Sequence, residues 1–178
     1  GRSIQKPYNN GFDEYFDELS DRYHRKEFEV ADSVHFTDSL KFTTPGGHIV
    51  YGGGGIMPDK FVPVDTSGVS PYFVKTRPLI YRFALKYTEN NREALKKFTD
   101  PGELEKYLDS QLLMNQFVQY AAAENIKSDS KGLKTSSNIM NTQIKAYIAR
   151  NILDNKGFYP IWEKIDTTLI YAIDFLKN

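Results

Sequence analysis

The residues able to do chemistry fall in a few places. Ser128-Asp129-Ser130-Lys131 has the S-x-x-K spacing, and a serine and a lysine one helical turn apart are how penicillin-binding enzymes activate a serine alcohol. The supporting S-D-N and K-T-G elements are missing, and Lys134-Thr135-Ser136 is only a near miss. The stretch 127–137 is polar and rich in Ser and Lys, whereas a lysine sheds its proton only in a desolvating pocket. It therefore reads as a flexible linker. Asp13, Asp17, Glu18 and Asp21 offer carboxylates for acid–base work or a metal. Carboxylates this dense at a helix start more often favour the helix dipole and face water. His24, His35 and His48 lie too far apart for the tight pairs of zinc sites. The chain has no cysteine, which rules out disulfides, thiol catalysis and cysteine-ligated metals.

Gly52-Gly53-Gly54-Gly55 is the remaining candidate. Four consecutive glycines are entropically costly to order, so they belong where a side chain cannot fit or φ is positive. A P-loop needs Lys-Ser/Thr and a following helix, and a dinucleotide site needs G-x-G-x-x-G opening a helix. Here Ile56-Met57-Pro58-Asp59 follows instead. The run is predicted to be a glycine passage at a bulge or sheet edge, entered from His48-Ile49-Val50-Tyr51 and left through extended Phe61-Val62-Pro63-Val64.

Gly1-Arg2-Ser3-Ile4-Gln5, Gly53-Gly54-Gly55-Ile56-Met57-Pro58-Asp59 and the following Val62-Pro63 resemble the end of the protease domain in carboxyl-terminal processing proteases. These are also called tail-specific proteases and are serine peptidases of the Ser-Lys type. The resemblance is specific over 1–8 and 47–65. About 46 residues separate Gln5 from Gly52, which matches a branch with a long insertion and a helical C-terminal extension. The resemblance implies a nucleophilic serine and a lysine base upstream of Gly1, and an extracytoplasmic location in a bacterial periplasm or envelope. It implies as partners the protease core of the same chain and the peptide or protein substrates of the parent. No catalytic, cofactor-binding or metal-binding residue is assigned within the chain. Residues 1–65 would normally pair with strands lying elsewhere in the parent, so exposed edges are expected to give either self-association into a homo-oligomer or disorder in that part.

The 178 residues suffice for a domain with an appendage, and 40% hydrophobic content excludes a disordered chain. Zero net charge argues against nucleic acid or an acidic membrane surface as the main partner. No apolar run is long enough to span a bilayer.

The elements that would position these residues follow from periodicity. Phe12, Tyr15, Phe16, Leu19 and Tyr23 make one face of a helix over 12–26. Phe28, Val30, Val34, Phe36, Leu40 and Phe42 alternate, as in extended chain. Leu40–Thr44, Pro45-Gly46-Gly47 and His48–Tyr51 predict a hairpin. Asp65–Ser70 is the expected boundary between residues 1–66, with an insertion over about 9–44 and a Gly-rich strand over 47–65, and a helical domain over 67–178. Ser70-Pro71 opens a helix that Pro78 is expected to break or kink. Leu79, Ile80, Phe83, Ala84 and Tyr87 line one side. Asn91 starts a short helix to Phe98, and Asp100-Pro101 starts another. Over 110–124, Leu112, Leu113, Phe117, Tyr120 and Ala121 share a face. A helix over 138–154 carries Ile144, Ile148 and Ile152 and ends at a C-cap, Asn155-Lys156-Gly157. Asp166 caps a last helix with Leu169, Ile173 and Leu176. The fold class is α+β, mainly α: a small part containing a β-hairpin, then an irregular helical bundle.

Overall fold

The computed structural model describes residues 11–30, 40–52 and 60–177. The chain is mainly helical, with one small antiparallel hairpin among the described residues followed by packed helices. It forms two compact units, Gly1–Asp65 and Thr66–Asn178. The opening Gly1–Gln5 motif, Val34, His35, Phe36 and the run Gly53–Asp59 lie outside the described residues.

In the first unit, helix α1 (Phe12–His24) starts after Gly11, whose φ of 96° suits only glycine comfortably. Phe12, Phe16 and Tyr23 are exposed along it. The chain leaves α1 through a turn with Lys26 at φ 60°, so Phe28 lies in a turn rather than a strand. Glu27 is buried there, its two oxygens accepting from Arg22 Nε and Arg25 Nε, each at 2.8 Å. Strands β1 (Lys41–Thr43) and β2 (Ile49–Tyr51) pair with Phe42 opposite Val50. Gly47 at φ 82° makes the turn between them.

The second unit is built on two long helices, α2 (Pro71–Asn90) and α6 (Ser130–Leu153), which pack along each other. Ser70 caps α2 by accepting from Phe73 N–H, and Pro71 occupies the first turn. Pro78 does not break α2. It lies on the exposed face, so the Val74 carbonyl that loses its helical partner is on the side where water can serve it. The expected core stripe Leu79, Ile80, Phe83, Ala84 and Tyr87 is buried.

Short helices close the core. Helix α3 (Arg92–Leu95) ends before Phe98, and α4 (Pro101–Asp109) is capped by Asp100, whose Oδ1 accepts from Glu103 N–H. Helix α5 (Leu113–Ala123) begins three residues later than the expected stretch 110–124. Leu112 sits at φ 50° before it and is exposed, leaving Leu113, Phe117 and Ala121 to face the core. A left-handed residue is what turns the chain sharply between α4 and α5.

Two further expectations are corrected. The stretch 130–137 is not a linker but the first two turns of α6. Asp129 Oδ1 accepts from Lys131 N–H and Gly132 N–H, and this cap decides the local structure over the polar composition. Asn155-Lys156-Gly157 is not a C-cap but the first turn of α7 (Asn155–Trp162). The break falls on Asp154, at φ 55°. Gly157 serves a different need: a Cβ there would lie 2.5 Å from the Ala149 carbonyl oxygen, so only glycine lets the two backbones touch. A 3₁₀ turn (Glu163–Ile165) leads to α8 (Thr167–Lys177), capped by Asp166 through Leu169 N–H. No residue of α8 is buried.

Candidate functional site

Helices α4 and α6 and the 3₁₀ turn converge on one charge group, in which Lys145 is buried, Glu105 partly so, and Asp109 and Lys164 are exposed. Glu105 and Asp109, four residues apart, share a face of α4. Lys145 of α6 is 8% exposed, and its Nζ donates to Glu105 Oε1 at 3.0 Å and Asp109 Oδ1 at 2.9 Å. Lys164 donates to the other Glu105 oxygen. Burial pulls the Lys145 ammonium down, but its bonds to Asp109 and Glu105 outweigh that and hold it above the ordinary lysine range. Burial likewise pushes Glu105 up, and the bonds from Lys164 and Lys145 outweigh it, leaving the carboxyl below its usual range. A lysine so held is a fixed cation, the opposite of a proton acceptor.

A second polar group ties the starts of α2 and α6 together. Ser70 N–H donates to Ser136 Oγ at 2.9 Å, and Ser136 Oγ donates to Ser70 Oγ at 2.8 Å. Both serines are buried, and their bonds are spent on backbone and on each other. Beside them Tyr72, 3% exposed, packs its Cβ where a side chain at Gly132 would collide. Its hydroxyl is buried with no hydrogen-bond partner. Burial, with a smaller push from Asp129, raises the phenol above its ordinary value.

A third feature is an aromatic ladder across α2, α6 and α7. Tyr81 meets Tyr147 edge-on at 5.3 Å, Tyr147 meets Phe158 at 5.6 Å, and Phe158 stacks on Trp162 at 5.3 Å. The Arg150 guanidinium lies 5.5 Å above the Phe158 ring. The outward side of α2 beside Tyr81 carries Val74, Pro78 and Leu85, all exposed.

The residues singled out from the sequence do not gather. Ser128 precedes α6 and Lys131 lies in its first turn, so the pair is not one turn apart on a helix, and both are exposed. His24 ends α1 and His48 follows the hairpin turn; both are exposed, and His35 is outside the described residues. Asp13, Asp17 and Asp21 are exposed on α1. Among the described residues no group of three or more His, Asp or Glu is placed to hold a metal ion. No helix among them is long and apolar enough to cross a membrane. The Lys145 group escaped sequence reasoning. Its signal was a lone lysine amid the apolar positions Ile144, Ala146, Ile148 and Ala149, together with Glu105 and Asp109 one turn apart.

Residues 72–154 match a family of unknown function, DUF8443. The match falls inside the helical unit, from the first turn of α2 to the residue that ends α6. It spans less than half of the chain. No curated protein and no solved structure matches the chain.

Proposed function

We propose that this chain is a non-catalytic C-terminal region of a serine endopeptidase of the carboxyl-terminal processing type. The helical unit acts there as a scaffold, an oligomer surface or a platform for substrates. The observation that carries the reading is the pair of motifs Gly1–Gln5 and Gly53–Asp59 with Val62-Pro63 after the second. Strand β2 supports it by ending at Tyr51, next to the first glycine, with Gly52 N–H donating to Leu40 O at 2.9 Å. The chemistry belongs to the parent: a serine alcohol attacks the peptide carbonyl while a lysine of lowered pKa takes its proton. In residues 1–178 the best-buried lysine among those described is locked as a cation between two carboxylates.

The test is peptide hydrolysis by residues 1–178 and by the longer parent. The parent is expected to cleave an internally quenched peptide and residues 1–178 are not. Hydrolysis by residues 1–178 that disappears on Ser128→Ala would overturn the reading. The second reading is a stand-alone helical binding module with no enzymatic parent. Codons upstream of Gly1 separate the two, because only the first reading requires a serine and a lysine of a protease core there.

A further inference from the structure

Helix α2 has two characters. One side forms the core, and the other presents Val74, Pro78, Tyr81 and Leu85, which are spaced four, three and four apart. At 100° per residue these four fall within about 60° of one another, a straight stripe roughly 16 Å long. Val74 is 60% exposed, Tyr81 47% and Leu85 38%. The stripe is flanked by Lys75, Arg82 and Lys86 on one side and Arg77 on the other, all exposed. Glu89, near the C-terminal end, is the sole acid of this helix. Local charge is thus strongly positive in a chain whose net charge is zero. The cations are only loosely engaged. Arg82 reaches Glu124 at 3.4 Å with both side chains exposed, and Lys86 lies 5.5 Å above the Tyr120 ring.

We propose that this face of α2 binds an acidic amphipathic helix of a partner protein. Spacings of four, three and four match the anchor positions of a helix lying along a helix. The flanking cations would meet carboxylates on both sides of the partner's apolar seam. A lipid surface fits less well. Interfacial helices sink a broad apolar face between headgroups, and here the broad face is already the core. The inference stands on α2 alone and holds with or without a protease upstream.

The experiment uses the full chain and fluorescently labelled synthetic peptides of about 20 residues. The first peptide carries Leu or Phe at i, i+4, i+7 and i+11 and Glu elsewhere on its flanks. The second keeps the anchors and carries Lys for Glu, and the third keeps the Glu and carries Gln for the anchors. Anisotropy should rise for the first peptide only, and added salt should weaken it. Val74→Ser with Leu85→Ser, and separately Lys75→Glu with Arg77→Glu, should each weaken it about tenfold or more, a change of roughly 1.4 kcal/mol. All four residues are exposed, and unchanged circular dichroism and melting confirm that each variant folds. Equal binding of the Glu and Lys peptides, no binding of the first peptide, or indifference to both variants would overturn the proposal. So would stronger binding to phosphatidylserine vesicles or to a single-stranded oligonucleotide, which would reassign the face to a membrane or a nucleic acid.

Discussion

Replacing Gly157 by alanine tests the close approach of α6 and α7. The new methyl would lie 2.5 Å from Ala149 O, 2.9 Å from Ala149 C and 2.9 Å from Leu153 Cβ. Two of these atoms are backbone and cannot swing aside. Restoring ordinary contact, 3.4 Å or more, needs α7 to retreat by about 0.9 Å, the difference between 3.4 and 2.5. A gap of that size forfeits a quarter to a half of the dispersion energy along the seam, where Ile161 is 1% exposed. Overpacking of this kind costs about 1–3 kcal/mol, the upper part of that range where the clash is with backbone, while alanine in a helix recovers about 1 kcal/mol over glycine. The net loss is about 1–2 kcal/mol, a fall in Tm of roughly 4–8 °C for a unit of this size. Trp162, the single tryptophan, sits in α7 and reports the event through its emission. Gly68→Ala is the contrast. Its methyl would meet only the Ile139 side chain, Cδ1 at 2.7 Å and Cγ1 at 3.4 Å, and the nearer atom is the far end of that side chain rather than backbone. Its cost should stay within about 0.5 kcal/mol. A Gly157→Ala protein as stable as the wild type, or two variants that behave alike, would refute the backbone-contact argument.

Lys145→Ala should destabilise the helical unit by about 2 kcal/mol in urea titrations, and Lys145→Met by less, because methionine keeps the volume while Lys164 still serves Glu105. Stability should fall on both sides of a plateau. The lowered Glu105 contributes above the ordinary carboxyl value of 4.5 and its share is lost as pH falls below it. Tyr87, raised to about 12 chiefly by burial, contributes below the ordinary 10.0 and its share is lost as pH rises from there towards 12, with Lys145 acting in the same direction. Melts from pH 3 to 12 check both flanks, and an acid flank unchanged in Glu105→Gln would contradict the assignment. Tyr72→Phe removes a buried hydroxyl that has no partner, so it should be neutral or stabilising by up to about 1 kcal/mol in the same titrations.

Periodicity and caps carried most of the helical unit. Ser70, Asp100 and Asp166 each accept from a backbone N–H as their positions suggest; the stripe on α2 is buried, as are Ile144 and Ile148 on α6, while Ile152 is half-buried. Failures came where one residue outweighed its neighbourhood. Asp129 nucleated a helix in a stretch whose composition reads as loop. Gly157 was placed by a contact with Ala149, eight residues earlier, which no local rule contains. Pro78 was tolerated because its face is exposed, and exposure is a tertiary fact. The Lys145 group needed three segments to be brought together, so only its isolated charge was visible beforehand.

The joint between α6 and α7 is a single residue, Asp154. Such a joint has no slack. One extra residue there would change the direction in which α7 leaves α6 and carry Phe158 out of its contact with Tyr147. Changes of chain length are therefore better accommodated at 96–99 and 124–128, which are turn or coil between helices. Descendants of this sequence should vary there in loop length while holding the 153–157 spacing fixed.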